Sequence, residues 1–329
     1  MKHGGDTTAI DQLLARRRLR LPELLPWVTA LGAFFLFPDH LFLGISVLIM
    51  VLFALSVDLV MGYAGLVTLG HAAFFGIGAY AAGMLAKQGW GDPLLGLAAA
   101  ALAGLVAGVL SGAVILRARG LTLLMLTLAV VSMLQEAANK AVGLTGGADG
   151  LNGIEVGPLL GRFAFDFYGR TGYLYCLAVL FAASCVLRTL VHSPFGRALT
   201  GIRENDRRMH AIGTPVRWRL IQAYAISAAV AAVAGALLAQ TTQSIALRVL
   251  SFELSGDAVI MLMIGGFGRL YGAFVGASLY LIAQDFIAKE DPVFWYFWIG
   301  LSLVLLVMFA RHGVLELAAR LPGFLRRRR

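Results

Sequence analysis

Long apolar runs separated by short polar segments make up most of the chain. They occupy residues 24–37, 41–60, 71–86, 94–116, 121–138, 173–190, 220–240, 255–268, 271–287 and 293–310. A helix of about 20 apolar residues crosses the hydrocarbon core of a bilayer. The pattern therefore predicts an all-α fold, a polytopic transmembrane helical bundle of about 10 spans, with a range of about 8–10. The first and eighth runs are short, which predicts breaks or tilts there.

Composition also indicates that the chain lies in a lipid bilayer. Hydrophobic residues account for 59% of the 329 residues and charged residues for 14%, whereas a soluble domain carries about 25% charged residues. The net charge of +9 would suit nucleic acid. However, the basic residues lie in loops and at the termini, without aromatic residues between them. We therefore expect no nucleic-acid partner.

The distribution of Lys and Arg predicts the orientation of the bundle. With the N-terminus inside, 21 of the 27 Lys and Arg residues fall in inner segments. Cytoplasmic loops of membrane proteins carry such an excess, so we expect an N-in and C-in topology. The chain divides into a cytoplasmic N-terminal segment, residues 1–23, a transmembrane domain, residues 24–312, and a basic cytoplasmic tail, residues 313–329.

Two loops differ from simple connections. The inner loop, residues 191–219, continues an arginine-rich stretch in which Glu204 and Asp206 are the acids. Part of it is expected to form a short amphipathic helix that either docks onto a soluble partner or lies on lipid headgroups. The outer loop, residues 139–172, contains TGGADGLNGI at residues 145–154. Its glycines permit tight turns, so the loop is either a mobile turn cluster or an ordered outer cap.

Small residues recur at every fourth position in two runs. They are Gly96, Ala100, Gly104, Gly108 and Gly112 in one run, and Gly268, Gly272 and Gly276 in the other. At this spacing they form a stripe along one helix face, where two helix backbones can come close together. We interpret Gly104, Gly108, Gly112, Gly268, Gly272 and Gly276 as helix-packing residues.

The segment 62–78 contains five glycines together with Thr68 and His71. Such a composition interrupts a helix, and irregular backbone at membrane depth is tolerated only when it is buried in protein or lines a polar cavity. One interpretation is the wall of a translocation path; the other is a packed kink. The candidate path residues are Gly62, Gly65, Thr68, Gly70 and His71, with Asp257 from a later run.

The sequence contains no motif for enzymatic chemistry. It lacks the GxxxxGK[ST] loop that binds nucleotide phosphates, and it also lacks HExxH, GxSxG and CxxC. We therefore expect no catalytic residue, no metal site and no cofactor bound by this chain. The acids Asp58, Glu136 and Asp257 lie near predicted span ends, whereas an ion-coupled carrier more often places acids near the midplane.

Four segments in order resemble one family. They are residues 62–80, GYAGLVTLGHAAFFGIGAY, the outer-loop segment 145–154, residues 193–206, SPFGRALTGIREND, with the later Gly213, and residues 255–277, SGDAVIMLMIGGFGRLYGAFVGA. Together they are similar to the branched-chain amino acid ABC transporter permeases of the Liv-type M subunit, over roughly residues 40 to 312. Asp257 stands where a glutamate is common in that family.

The resemblance implies the membrane-spanning permease subunit of an ATP-driven importer in the cytoplasmic (inner) membrane of a bacterium or archaeon. Its partners would be a second homologous permease, two ATP-binding subunits that use ATP and Mg, and a periplasmic or extracytoplasmic substrate-binding protein. The substrate would be leucine, isoleucine, valine or a related small solute. The residues that would couple to the ATPase are Gly196, Arg197, Ile202, Arg203, Glu204, Arg207 and Gly213.

Other functions remain open at this point. A related permease for urea or short amides would have the same architecture. An ion-coupled secondary carrier would work without partner ATPases. An intramembrane enzyme would need a nucleophile and a base paired within the bilayer, and the sequence offers none.

Overall fold

A computed structural model of the chain describes residues 21–291, apart from residues 160, 162–165, 167 and 168, and also residues 294, 297, 298, 300 and 301. The basic tail at 313–329, nearly all of the N-terminal segment 1–23 and most of the tenth apolar run at 293–310 lie outside the described residues.

The described chain is helical. Its α-helices are α1 (Leu21–Leu36), α2 (Leu41–Asp58), α3 (His71–Lys87), α4 (Pro93–Ile115), α5 (Leu121–Lys140), α6 (Val142–Thr145), α7 (Arg170–His192), α8 (Pro194–Glu204), α9 (Asp206–Ala211), α10 (Val216–Thr242), α11 (Phe252–Gly265) and α12 (Leu270–Glu290). An antiparallel bridge joins Leu151 to Ile245. The predicted all-α class is confirmed.

The number of membrane spans is not settled by helix length. Helices coincide with nine of the ten predicted runs, since only the run at 293–310 lies mostly outside the described residues. Within the part of the chain that the structure describes, six segments are both long and apolar enough to cross a membrane, namely Pro38–Tyr63, Pro93–Ile115, Leu121–Lys140, Arg170–His192, Val216–Thr242 and Leu270–Glu290. The other three are shorter: α1 has an apolar part of 12 residues, α3 has 17 residues and α11 has 14. The prediction of about 10 spans is therefore not confirmed, and the orientation stays a prediction.

Several helices begin at a side chain that caps their free amide groups. Asp92 accepts a hydrogen bond from the Leu94 amide at the start of α4 (3.0 Å). Asn205 accepts one from the Arg208 amide at the start of α9 (3.0 Å). Proline follows the cap in α4, where its missing N–H group is not needed. These local signals fix where the loops end and the helices begin.

Two helices form the centre of the bundle. The spans that contain α2 and α10 are 72% and 67% buried, whereas α4 and α5 are each 22% buried. Helix α10 packs against α2, α3 and α4. Where α4 meets α10, a Cβ atom added to Gly108 would lie 2.7 Å from the Ala228 Cβ and 2.8 Å from the Ala225 Cα. The two backbones are therefore in direct contact along the glycine stripe.

Contacts between loops place them at two ends of the bundle. At one end, Arg119 after α4 forms an ion pair with Asp206 of α9 (2.5 Å). At the other end, Leu151 exchanges two backbone hydrogen bonds with Ile245 (both 2.9 Å). Helices α4, α5, α7 and α10 connect these two ends. The first end carries the predicted inner loop, and the second carries the predicted outer loop.

Candidate functional site

The helix formed by α2 is interrupted where the glycine-rich segment begins. Residues Leu59–Tyr63 continue α2 as a wider π-helical turn, and the chain is then irregular until α3 begins at His71. Gly65 adopts φ +73°, in the left-handed region that favours glycine. The break predicted from the glycines is therefore present, and it shortens α3. We call residues 64–70 the break.

Several backbone amides at and after the end of the break have partners within the protein. The Leu69 amide donates to the Thr127 hydroxyl of α5 (3.3 Å), and the Gly70 amide donates to Thr68 (3.1 Å). The Ala72 amide at the start of α3 donates to Ser255 of α11 (2.8 Å). Irregular backbone inside a membrane needs such partners. Helices α5 and α11 thus both contact the chain around the start of α3.

His71 lies in the core at the end of the break. Its Nε2 atom is 2.7 Å from the Ser227 hydroxyl of α10, which also lies 2.5 Å from the carbonyl oxygen of Ser56 in α2. Because Ser227 donates to that carbonyl, it accepts from the Nε2–H group of His71. The imidazole packs edge-on against Phe74 and Tyr224. Thr68 and His71 are each 1% exposed, so these two side chains are closed to solvent in this conformation.

The remaining path candidates occupy separate positions. A Cβ atom at Gly70 would lie 3.0 Å from the Thr127 Cβ, so this glycine is in close contact with α5. Asp257 is half-buried in α11 and accepts a hydrogen bond from the Tyr280 hydroxyl of α12 (2.7 Å). It is two residues from Ser255, which touches the start of α3. Gly62 and Gly65 lie instead beside the inner helix α8.

Helix α8 presents one face to the bundle and another to the surroundings. Gly196, Leu199 and Ile202 are buried, whereas Arg197 and Glu204 are exposed. The helix begins at Ser193, whose hydroxyl accepts from the Phe195 amide (3.2 Å). Arg207 in α9 and Gly213 after it are also exposed. The predicted coupling residues are therefore split, with Gly196 and Ile202 holding the helix and the others accessible.

Arg203 differs from the other predicted coupling residues. Although much of the residue is exposed, its guanidinium donates a hydrogen bond to the carbonyl oxygen of Gly62 at the end of α2. Asp58, one turn earlier in α2, accepts a hydrogen bond from the Gly268 amide (2.7 Å). Arg203 thus contacts the bundle itself. The sequence analysis assigned no role to this pairing of Asp58, although a buried acid in an apolar run is a signal that such a partner exists.

Polar side chains in the apolar helices were also missed. Ser227, Ser255 and Thr127 hold His71 and the backbone of the break, but their spacing along the chain shows no pattern. The available signal is chemical: a hydroxyl inside a membrane helix requires a hydrogen-bond partner. The described residues contain no group of three or more His, Cys, Asp and Glu side chains that could hold a metal ion.

The opposite end of the bundle carries an open cavity of about 530 Å³. Asp92 and Glu155 line it together with the backbone around Gly91 and Gly157. The described part of the outer loop is folded against the bundle, because the Gly157 amide donates to the Gly91 carbonyl (2.9 Å). This arrangement favours an ordered cap over a mobile turn cluster for residues 139–159.

Comparison with known proteins identifies the family. The family described as branched-chain amino acid transport system / permease component matches residues 41–309, which includes the break, the inner helices and α12. The chain belongs to this permease family. It is therefore a multi-pass membrane protein and a transport subunit, and the expectation that it is not an enzyme agrees with this membership.

Relatives within the family extend over nearly the whole chain. The high-affinity branched-chain amino acid transport system permease protein LivM of Escherichia coli (strain K12) is 27% identical over 94% of this chain and 77% of its own length. The protein of the same name from Salmonella typhimurium gives the same values. A probable branched-chain amino acid transport permease protein LivM from Methanocaldococcus jannaschii is 25% identical over 70% of this chain and 76% of its own. No solved structure gave a significant match.

Proposed function

We propose that the chain is the membrane-spanning permease subunit of an ATP-driven ABC importer for branched-chain amino acids: leucine, isoleucine and valine. The observation that carries the proposal is the match of the permease family over residues 41–309, together with LivM relatives that cover 94% of the chain. No feature of the described residues favours urea, short amides or an ion-coupled carrier over these substrates.

The proposed assembly contains four partner subunits of three kinds. A second homologous permease shares the bilayer, two ATP-binding subunits dock on the inner end, and an extracytoplasmic substrate-binding protein docks on the outer end. The location is the inner membrane of a bacterium or archaeon. ATP and Mg are bound by the ATP-binding subunits, since this sequence has no phosphate-binding loop. The exposed Arg197, Glu204 and Arg207 supply charged groups for docking on those subunits.

The proposed path runs beside the break. A zwitterionic amino acid loses water when it crosses the bilayer, so polar groups must replace its lost hydrogen bonds. Thr68, His71 and the exposed backbone of a glycine-rich segment are groups of that kind. Because Thr68 and His71 are buried here, transport requires a second conformation in which the break opens.

The test is reconstitution of the complete complex with its binding protein in proteoliposomes. We expect uptake of labelled leucine that requires ATP and the binding protein and is unaffected by collapse of ion gradients. Uptake driven by an ion gradient without ATP would establish a secondary carrier instead. ATP-driven uptake of urea or acetamide with no uptake of leucine, isoleucine or valine would overturn the proposed substrate while preserving the importer class.

A further inference from the structure

Three segments that are far apart in sequence converge beside helix α8. They are the end of α2 at Asp58 and Gly62, the turn between α11 and α12 at Gly268, and Arg203 of α8 itself. Asp58 and Gly268 are 210 residues apart and are joined by the 2.7 Å hydrogen bond between the Asp58 carboxylate and the Gly268 amide. Arg203 is 141 residues from Gly62, whose carbonyl oxygen accepts its hydrogen bond. We call these four residues the inner clamp.

Asp58 is the buried carboxyl group at the centre of the inner clamp. It is 0% exposed, and one of its carboxylate oxygens accepts a hydrogen bond from the Gly268 amide. The other oxygen has no hydrogen-bond partner among the described residues. The Arg203 guanidinium is close enough to interact with this carboxylate electrostatically. A buried charge without an opposite charge is strongly unfavourable, so the position of Arg203 matters for α2 as well as for α8.

The glycines in this region leave room for the arginine. A Cβ atom at Gly65 would lie 2.8 Å from the Arg203 Cγ, and one at Gly268 would lie 3.0 Å from its Nη1. A Cβ atom at Gly62 would overlap the Asp58 carboxylate and lie 2.5 Å from the Gly268 amide nitrogen. Two glycine-rich motifs that the sequence analysis assigned to the path and to helix packing therefore meet at the same side chain.

A second contact joins the end of α2 to the start of α12. A backbone hydrogen bond links the Tyr63 hydroxyl to Leu270, the first residue of α12. This contact does not involve α8. The end of α2 and the turn before α12 thus form one unit, and Arg203 donates a hydrogen bond that joins α8 to that unit.

We propose that Arg203 is a positioning residue for transport that transmits displacement of α8 to α2 and α12 through the inner clamp. The proposal rests on the proposed function, in which the ATP-binding subunits dock on the inner end, where α8 lies. Arg203 then acts on the transport step without itself docking on those subunits. Because α2 is the most buried candidate span among the described residues and ends at the break, movement of its end shifts the break directly.

The test uses the reconstituted complex with three variants of this chain. Arg203→Ala removes the side chain, and Arg203→Lys keeps the charge but not the planar guanidinium. Arg208→Ala is the matched control, since Arg208 is an exposed arginine of α9 whose side chain has no ion pair with the described residues. Three quantities are measured for each: co-purification of the ATP-binding subunits, ATP hydrolysis stimulated by the loaded binding protein, and leucine uptake.

We expect Arg203→Ala to retain the ATP-binding subunits while the ratio of leucine uptake to ATP hydrolysed falls by about tenfold or more, within the usual range of coupling between sites. Arg203→Lys should recover part of that ratio, and Arg208→Ala should match the wild type. Equal ratios in wild type, Arg203→Ala and Arg208→Ala would overturn the proposal. So would loss of the ATP-binding subunits in both Arg203 variants, because Arg203 would then be a docking residue.

Two results separate this inference from the proposed function. If the wild-type complex transports no branched-chain amino acid, the proposed function fails whatever the variants do. If the wild type transports leucine, the variants decide the inference alone. Should Arg203→Ala fail to assemble, Arg203→Lys is decisive: an intermediate ratio supports the inner clamp, and an unchanged ratio rejects it.

Discussion

The Nε2 atom of His71 lies 2.7 Å from the hydroxyl oxygen of Ser227. This bond joins the start of α3 to the middle of α10, and Ser227 extends it to α2 through the Ser56 carbonyl (2.5 Å). Three central helices therefore share one buried hydroxyl. All three residues are buried, so no solvent replaces a lost bond at this position.

Replacing Ser227 by alanine should therefore destabilise the permease by about 1 kcal/mol, because a buried imidazole N–H group is left without an acceptor. The measurement is thermal unfolding of the detergent-purified complex. Ser111→Ala is the control, since the Ser111 hydroxyl bonds only to the Ala107 carbonyl within α4. Equal stability of the two variants would show that the three-helix connection contributes nothing.

The helices could be predicted from the sequence because apolar runs of span length carry a strong local signal. The break at 64–70 could also be predicted, since glycines concentrate there. The inner clamp could not, because the pairing of Asp58 with Gly268 joins residues 210 positions apart and no local spacing encodes it. The charge of Arg203 likewise suggested that it docks on a partner. The side chain contacts the bundle instead, because Gly65 and Gly268 leave space for it.

The contact between α4 and α10 can be tested at Gly108. Alanine is intrinsically favoured over glycine in a helix by about 1 kcal/mol. At Gly108, however, its Cβ would lie 2.7 Å from the Ala228 Cβ, and overpacking of this kind costs about 1–3 kcal/mol. We expect Gly108→Ala to lower the unfolding temperature. Gly32→Ala in α1, where a Cβ meets nothing within 4 Å, should leave it unchanged or raise it. Stabilisation by both would contradict the close packing.

The orientation of the bundle can be tested with single cysteines at Ala148 and Thr200. Both residues are exposed, and they lie in the loops that the contacts place at opposite ends. Cys176 and Cys185 must first be replaced, because both are free thiols. We expect a membrane-impermeant maleimide to label Ala148→Cys from outside only and Thr200→Cys from inside only. Labelling of both from the same side would overturn the span assignment, and the reversed pattern would refute the N-in topology.

Docking of the ATP-binding subunits can be tested at Glu204. This acid is exposed at the end of α8. When its charge is reversed, residue 204 becomes a third cation beside Arg203 and Arg207. A cationic group of the partner that pairs with the Glu204 carboxylate would then face a like charge, which weakens association. We expect Glu204→Arg either to reduce co-purification of the ATP-binding subunits or to release ATP hydrolysis from transport. Asp39→Arg at another exposed position is the charge-matched control. Normal transport by the assembled Glu204→Arg complex would exclude a docking role.

Whether the translocation path runs beside the break is decided by comparing His71→Gln with Ser227→Ala. Both variants disturb the same hydrogen bond, so a loss of stability common to both reports only packing. The glutamine amide can still donate to Ser227, but it lacks the imidazole ring that packs edge-on against Phe74 and Tyr224.

If His71 contacts the solute when the break opens, His71→Gln should change the relative rates of leucine, isoleucine and valine uptake, whereas Ser227→Ala should lower all three together. The measurement is competitive uptake in proteoliposomes, on complexes shown to be folded and still stimulated by the loaded binding protein. A path residue alters discrimination between substrates because its contacts differ among them. A packing residue changes only the amount of active complex. Unchanged uptake kinetics in His71→Gln across all three substrates would remove His71 from the path and leave the break as a packed kink.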